Sequence, residues 1–146
     1  MLVAPAALAA CAAPPPPPPP PVLELTVIGG DDQNLDQSGK PVAVALHLFE
    51  LTNTAKFERA DAFALIEREK ATLGADSPAS DEFVLAPGET KTITRPLKPD
   101  VQFVGLTALF RDIDHATWRS FAPVAAHGTT KLVARTSGLK VTLTPP

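Results

Sequence analysis

The chain has a single cysteine, Cys11, among its 146 residues. Because there is no second cysteine, an intramolecular disulfide is impossible and a metal site built from several thiolates is excluded. Even in an oxidising compartment, this fold would therefore contain no intramolecular disulfide.

Long apolar runs and an excess of basic charge are missing as well. No uninterrupted apolar stretch reaches about 18 residues, the length that a transmembrane helix needs. The formal net charge is −3 and the sequence pI is about 5.5, whereas proteins that bind nucleic acid carry basic stripes. These two absences exclude a helical membrane span and argue against nucleic acid as a partner.

The sequence also lacks a recognisable catalytic or metal-binding motif. Catalysis needs a nucleophile with a base, or paired acids in a shielded pocket, and a metal needs several converging ligands. None of His47, His115 and His127 has a partner at ligand spacing, such as i, i+4 on a helix. The sequence therefore predicts that the protein is not an enzyme and holds no cofactor.

One short acidic segment, residues 111–119, admits two interpretations. Asp112, Asp114 and His115 offer oxygen and imidazole ligands that suit a cation. Alternatively, the two aspartates cap backbone donors and pair with Arg111 and Arg119, while the tryptophan between them enters the core. We favour the second interpretation, because no further carboxylates gather nearby to complete a shell of six oxygens.

What the chain does contain begins with residues 1–11. The first ten residues have no charge and include five alanines, a composition typical of the apolar region and cleavage site of an exported precursor. Residues 8–11, Leu-Ala-Ala-Cys, resemble the bacterial lipobox, in which the cysteine is acylated and the preceding bond is cut. We therefore predict a signal peptide over 1–10 and lipidation of Cys11, with a buried free thiol as the disfavoured alternative. Export signals normally open with Lys or Arg, so either the true start lies upstream or the sequence is shortened.

The residues after Cys11 predict a spacer. Residues 14–21 are eight consecutive prolines, which favour a stiff extended helix of about 3.1 Å per residue, or roughly 25 Å in all. A docking ligand for an aromatic groove is the alternative. The residue after the cysteine is Ala12 rather than the aspartate that often retains such lipoproteins in the inner membrane. The resemblance to lipoproteins thus implies the periplasmic face of the outer membrane, with acyl chains on Cys11 as the anchor.

Strand signals dominate residues 22–146. Apolar residues alternate over 23–28, and both faces are apolar over 42–51, as in a central strand. Further strands are predicted over 101–110 and 118–124, with hairpins over 82–95 around Pro87-Gly88 and over 129–144 around Ser137-Gly138. One helix is expected between an N-cap at Asp61 and a stop at Gly74, with Phe63 on its apolar face. This pattern predicts an all-β fold, a two-sheet antiparallel sandwich with a short helical insertion.

Four stretches in this order resemble the TssJ family of outer-membrane lipoproteins of the bacterial type VI secretion system. They are residues 41–51 (PVAVALHLFEL), 57–63 (FERADAF), 81–89 (DEFVLAPGE) and 110–119 (FRDIDHATWR), and they follow the lipobox cysteine. The resemblance implies a transthyretin-like sandwich without enzymatic activity. It also implies a tethering role, in which the protein binds the periplasmic domain of the inner-membrane subunit TssM.

The first interstrand loop, residues 30–40, is our candidate for the partner-binding surface, because long loops carry function more often than strands do. Its candidate residues are Asp31, Asp32, Asn34, Leu35 and Asp36. An ordinary solvated connection is the alternative, and residues 112–117 are a second candidate surface. A rival function is a lipid-anchored periplasmic carrier that binds a small ligand between its sheets, which would need a sizeable apolar pocket.

Overall fold

A computed structural model describes residues 1–6 and 11–146. Three residues of the predicted lipobox, 8–10, lie outside the described residues, so the signal peptide and its cleavage stay predictions. Among the residues that are described, no helix is both long and apolar enough to cross a membrane.

In the described part of the chain, eight strands form two four-stranded sheets. The strands are β1 (Pro21–Gly29), β2 (Val44–Leu51), β3 (Ala79–Leu85), β4 (Thr90–Pro96), β5 (Phe103–Ala108), β6 (Arg119–Pro123), β7 (Gly128–Ser137) and β8 (Lys140–Thr144). The first sheet has the order β4-β1-β7-β8 and the second the order β3-β2-β5-β6. The predicted two-sheet sandwich is confirmed, and so is the final hairpin, in which β7 and β8 are antiparallel partners.

Two strand pairings differ from the predicted arrangement. β1 and β7 are parallel, with Leu25 opposite Leu132, whereas the other pairings are antiparallel. The predicted hairpin over 82–95 is wrong, because β3 pairs with β2 and β4 pairs with β1. The Pro87-Gly88 turn instead carries the chain from one sheet to the other. It is held against the end of β1, where the Gly29 N–H donates to the Glu89 carbonyl at 2.8 Å.

The main core lies between the two sheets. β1 buries every second side chain, Leu23, Leu25 and Val27, and β2 meets them from the other sheet with Leu46 and Leu48. β2 is buried along almost its whole length, as predicted for a central strand. Because burial of one Leu or Val side chain contributes about 1.5–3 kcal/mol, these alternating strands account for the sandwich.

A helical segment covers the outer face of the second sheet. It consists of α1 (Ala55–Arg59), α2 (Ala62–Glu67) and α3 (Glu69–Leu73). The prediction of one continuous helix is wrong, because Arg68 leaves the helical region (φ −128°, ψ 39°). The predicted apolar face is right at Leu73, which packs on the sheet beside Leu65, and wrong at Phe63, which is 55% exposed.

The sandwich has two ends. The proline tract enters at the start of β1, and the Gly128 N–H donates to the Pro19 carbonyl at 3.3 Å. We call this the anchor end. The distal end carries the connections 30–43, 86–89, 109–118 and 138–139, and β1 reaches it at Gly29. At about 3.3 Å per residue, the nine residues of β1 separate the two ends by about 30 Å.

Candidate functional site

The first loop of the distal end is held from inside by Gln33. This side chain is fully buried, and its amide donates to the Leu85 carbonyl at 2.9 Å and to the Val42 carbonyl at 3.2 Å. The Thr136 hydroxyl donates to the Gln33 carbonyl oxygen. Buried polar groups are costly unless they are hydrogen-bonded, so these contacts fix the base of the loop. Sequence reasoning missed Gln33, because a polar residue in a polar loop gives no signal of burial.

Asn34 is the second internal support. Its backbone is left-handed (φ 49°) and its side chain is 2% exposed. The amide donates to the Ala43 carbonyl at 2.9 Å, and the amide oxygen accepts from the Arg111 N–H at 2.8 Å. Asparagine tolerates this backbone region better than most residues. Asn34 was a candidate contact residue, but its buried side chain positions the loop rather than facing outward.

Leu35 and Asp36 form the outer part of the loop. Leu35 is 47% exposed, although its backbone bridges to Pro41. One Asp36 carboxylate oxygen accepts from the Ser38 hydroxyl at 2.7 Å and from the Ser38 and Lys40 N–H groups at 2.9 Å. The Ser38 hydroxyl, followed by the Lys40 N–H, lowers the pKa of Asp36. The tip of the loop is therefore a turn that is held by hydrogen bonds to the Asp36 carboxylate, and the exposed Leu35 lies beside it.

Asp31 and Asp32 join the loop to the neighbouring connections. Both are exposed. The Ser137 hydroxyl donates to the Asp32 carboxylate at 3.2–3.3 Å, and the Asp31 carboxylate lies against Gly88. Two acids thus lie at the distal end between the turn after β3 and the turn after β7.

The two surfaces that the sequence offered as candidates are contiguous. Leu35 and Asp36 from the first loop and Arg111 and Asp112 from the 109–118 connection line one shallow cleft of about 350 Å³. The bond from the Arg111 N–H to Asn34 fastens the two segments together. A partner that covers the exposed leucine would therefore also contact the second segment.

The acidic segment around Asp112 forms other contacts than predicted. Asp112 pairs with His115 at 2.8 Å, and this hydrogen bond raises the pKa of His115. The predicted pairing with the arginines is wrong, because neither Arg111 nor Arg119 forms an ion pair among the described residues. Arg119 instead donates to the Phe57 carbonyl at 2.6 Å and stacks on Trp118 at 4.2 Å. Trp118 packs on both cores, as predicted. Within residues 1–6 and 11–146, no three His, Cys, Asp or Glu side chains are grouped to hold a metal.

The remaining predicted residues lie away from the distal end. Cys11 is exposed ahead of the proline tract. His47 is buried under the helical segment, where it stacks on Phe49 with ring centroids 4.4 Å apart and lies 3.5 Å from the Glu69 carboxylate. The space between the sheets is occupied by core side chains, so the carrier hypothesis gains no support from the interior.

The interior of the sandwich is filled, and the connections 30–43 and 109–118 are hydrogen-bonded to each other at its distal end. The family model of the type VI secretion lipoproteins (VasD, EvfM, TssJ) matches residues 21–145. The chain belongs to this family of secretion-system lipoproteins, as its sequence resemblance predicts, and the family is not one of enzymes.

Solved structures agree with this assignment. The T6SS lipoprotein TssJ1 from Pseudomonas aeruginosa is 32% identical, with a TM-score of 0.84 over 88% of this chain and 98% of that one. Serratia marcescens Lip, a membrane-bound component of the type VI secretion system, has the same fold at 24% identity, with a TM-score of 0.76 over 87% and 96% of the two chains. A chain of a type VI membrane complex is 27% identical, with a TM-score of 0.75 over 85% and 98%. No curated protein matches at the level of sequence.

Proposed function

We propose that this lipoprotein tethers the type VI secretion membrane complex to the outer membrane by binding the periplasmic domain of a TssM-type inner-membrane subunit. Acyl chains on Cys11 hold one end of the protein at the periplasmic face of the membrane. The loops of the distal end bind the partner.

The observation that carries this proposal is the position of the anchor relative to the loops. Cys11 and the proline tract precede the start of β1, whereas the first loop follows its end. The strand spans about 30 Å, and the seven prolines that precede it, residues 14–20, add roughly 20 Å. A domain anchored in this way presents residues 30–40 and 109–118 away from the lipid, towards proteins of the periplasm.

A further solved structure supports the choice of partner. It is a structure of the T6SS protein TssM C-terminal domain (869–1107) from EAEC, in which the matching chain is 25% identical with a TM-score of 0.71. The match spans 86% of this chain and 98% of the other, so the matched chain has about 130 residues, whereas the range 869–1107 spans 239. This fold thus occurs in a structure of the TssM C-terminal domain, which supports a TssM-type subunit as the partner.

Within the distal surface, Leu35 is the residue suited to supply affinity. Removing an exposed apolar side chain from water is favourable, and the residues that are fully desolvated at the centre of an interface carry most of its binding energy. The surrounding acids Asp31, Asp32 and Asp36 are suited to steer association, since charges at the rim of an interface mainly change the association rate.

Site-specific crosslinking in cells that assemble the secretion system tests this proposal. A photo-reactive amino acid at Leu35 should crosslink to the TssM-type subunit. The same group at His127, an exposed position in the connection at the anchor end, should not. Equal crosslinking from both positions, or none from Leu35, would contradict the proposed orientation.

Membrane fractionation tests the anchor. The Cys11→Ser variant cannot be acylated, so it should leave the outer-membrane fraction while remaining folded. Retention of this variant in the outer membrane would show that something other than the lipid holds the protein there.

A further inference from the structure

An exposed phenylalanine lies beside the distal end, outside the first loop. Phe63 belongs to α2, and its neighbours Ala62, Ala64 and Leu65 are buried while its own ring is 55% exposed. A single exposed apolar residue needs no explanation. Phe63 differs because it lines a cleft together with other apolar side chains.

This cleft, which we call the Phe63 groove, runs between the start of α2 and the 109–118 connection. Its volume is about 250 Å³. Its apolar wall includes Phe63, Ile113 and Trp118, and two exposed acids, Asp61 and Asp114, stand at its rim. The groove thus combines an apolar wall with negatively charged residues at its rim.

Contacts behind the groove fix its shape. The Asp61 carboxylate accepts from the Ala64 N–H at 2.8 Å and so caps α2. Arg119 stacks on Trp118 at 4.2 Å and donates to the carbonyls of Phe57 and Ala60 at 2.6 and 2.8 Å. A surface that is already ordered loses little conformational entropy on binding, which favours a docking role for the groove.

The charges of the groove are not balanced. Arg119 directs its guanidinium at backbone carbonyls of the helical segment. Among the described residues, Asp114 takes part in no ion pair. Two acids against one adjacent arginine leave the groove with net negative charge, and complementary charge selects partners and raises the association rate.

We infer that the Phe63 groove is a second docking site for the same TssM-type subunit. It takes a segment in which an apolar side chain is flanked by Lys or Arg. The apolar side chain packs between Phe63 and Trp118, and the basic side chain pairs with Asp114. This inference rests on the proposed function.

The 109–118 connection links this site to the first one. Arg111 and Asp112 line the cleft beside Leu35, and Ile113 and Asp114 line the Phe63 groove. One partner that covers the exposed leucine therefore needs only to continue across residues 111–114 to reach the groove. The continuity of the two surfaces favours one occupant over two separate ones.

Calorimetric titration tests the inference, with the 146-residue chain carrying Cys11→Ser and the periplasmic domain of the cognate TssM-type subunit. Phe63→Ala should weaken binding at least tenfold, because it removes one of the three large apolar side chains of the wall. Asp114→Lys should weaken it as well, and more at low ionic strength than at high, because salt screens exposed charges. Val84→Ala, which truncates an equally exposed apolar side chain on β3, is the matched control and should bind as the unmodified protein does.

The outcomes separate this inference from the proposed function. If Leu35→Ala weakens binding while Phe63→Ala and Asp114→Lys do not, the groove is not a docking site and the tether proposal stands. If the unmodified chain does not bind, both proposals fail. Melting temperatures of the variants must match that of the unmodified chain. If Phe63→Ala is unfolded, Asp114→Lys, at an exposed position, decides the question alone.

Discussion

The side-chain oxygen of Asn34 accepts a hydrogen bond from the backbone N–H of Arg111, with 2.8 Å between the two atoms. The two residues lie 77 positions apart in sequence, in the two connections that line the cleft beside Leu35. The amide of the same side chain donates to Ala43. One buried asparagine thus determines both the shape of the first loop and its position against the second.

Replacement of Asn34 by alanine should destabilise the protein. The substitution removes the hydrogen bonds to the Ala43 carbonyl and from the Arg111 N–H, each of which contributes about 0.5–1.5 kcal/mol, and it places an alanine in left-handed backbone. Urea unfolding would measure the loss of free energy. Asn34→Gly accepts the left-handed backbone but also lacks the side chain, so it should be destabilised less than Asn34→Ala and more than the unmodified protein. If both variants have the same free energy of unfolding as the unmodified protein, the hydrogen bonds of the Asn34 side chain do not stabilise the fold.

The loop shows what the sequence could and could not predict about the site. Five residues in a polar stretch indicated a functional loop, and an exposed leucine among acids was found where expected. Gln33 and Asn34 are polar residues in a polar stretch, like their exposed neighbours, yet they are buried. Their partners are Leu85, Thr136 and Arg111, which come from distant parts of the chain, so no local pattern could reveal their role.

Removal of Arg95 should cost more stability than removal of a surface lysine. The Arg95 guanidinium donates to Glu50 at 2.7 Å, and the Glu50 side chain is 2% exposed. This ion pair connects β4 of the first sheet with β2 of the second. Arg95→Ala leaves a buried carboxylate without its partner, so we expect a loss of about 3 kcal/mol. Thermal or denaturant unfolding would measure it.

Lys131→Ala is the matched control for Arg95→Ala. Lys131 pairs with Glu24 at 3.8 Å, and both side chains are largely exposed. Pairs of this kind contribute less than about 1 kcal/mol. Equal losses from the two substitutions would contradict the importance of burial for the Glu50–Arg95 pair.

Gly105 should not tolerate a methyl group. A Cβ at this position would lie 2.8 Å from the Phe57 ring and 3.0 Å from Leu51. The ring of Phe57 is fully buried between the helical segment and the second sheet, so it has no room to move. Gly105→Ala should lower the free energy of unfolding by about 1–3 kcal/mol, the usual cost of overpacking. An unchanged melting temperature would mean that the helical segment is not packed on β5 as described.

The ion pair of Asp112 and His115 should be visible by NMR titration. The hydrogen bond and charge of Asp112 raise the pKa of His115 above its ordinary value of 6.5, so Asp112→Asn should lower it. A raised pKa stabilises the folded state fully below pH 6.5, and this contribution is lost as the pH rises through the folded-state value. If Asp112→Asn leaves the titration of His115 unchanged, the pair is absent in solution.

The fold was more predictable than the pairing of its strands. The apolar pattern of residues 42–51 predicted β2, and the Ser137-Gly138 turn predicted the hairpin of β7 and β8. The turn at Pro87-Gly88 has equally good local chemistry, but the two strands beside it belong to different sheets, where β3 pairs with β2 and β4 pairs with β1. The parallel pairing of β1 with β7 joins residues more than 100 positions apart, and only the complete fold determines it.

Calorimetric titration of the 146-residue chain carrying Cys11→Ser against the periplasmic domain of its cognate TssM-type subunit tests the central claim most directly. We expect saturable binding with a dissociation constant in the micromolar range or tighter, about −8 kcal/mol or better, and Leu35→Ala should weaken it. Absence of binding by a well-folded sample would contradict the tether function.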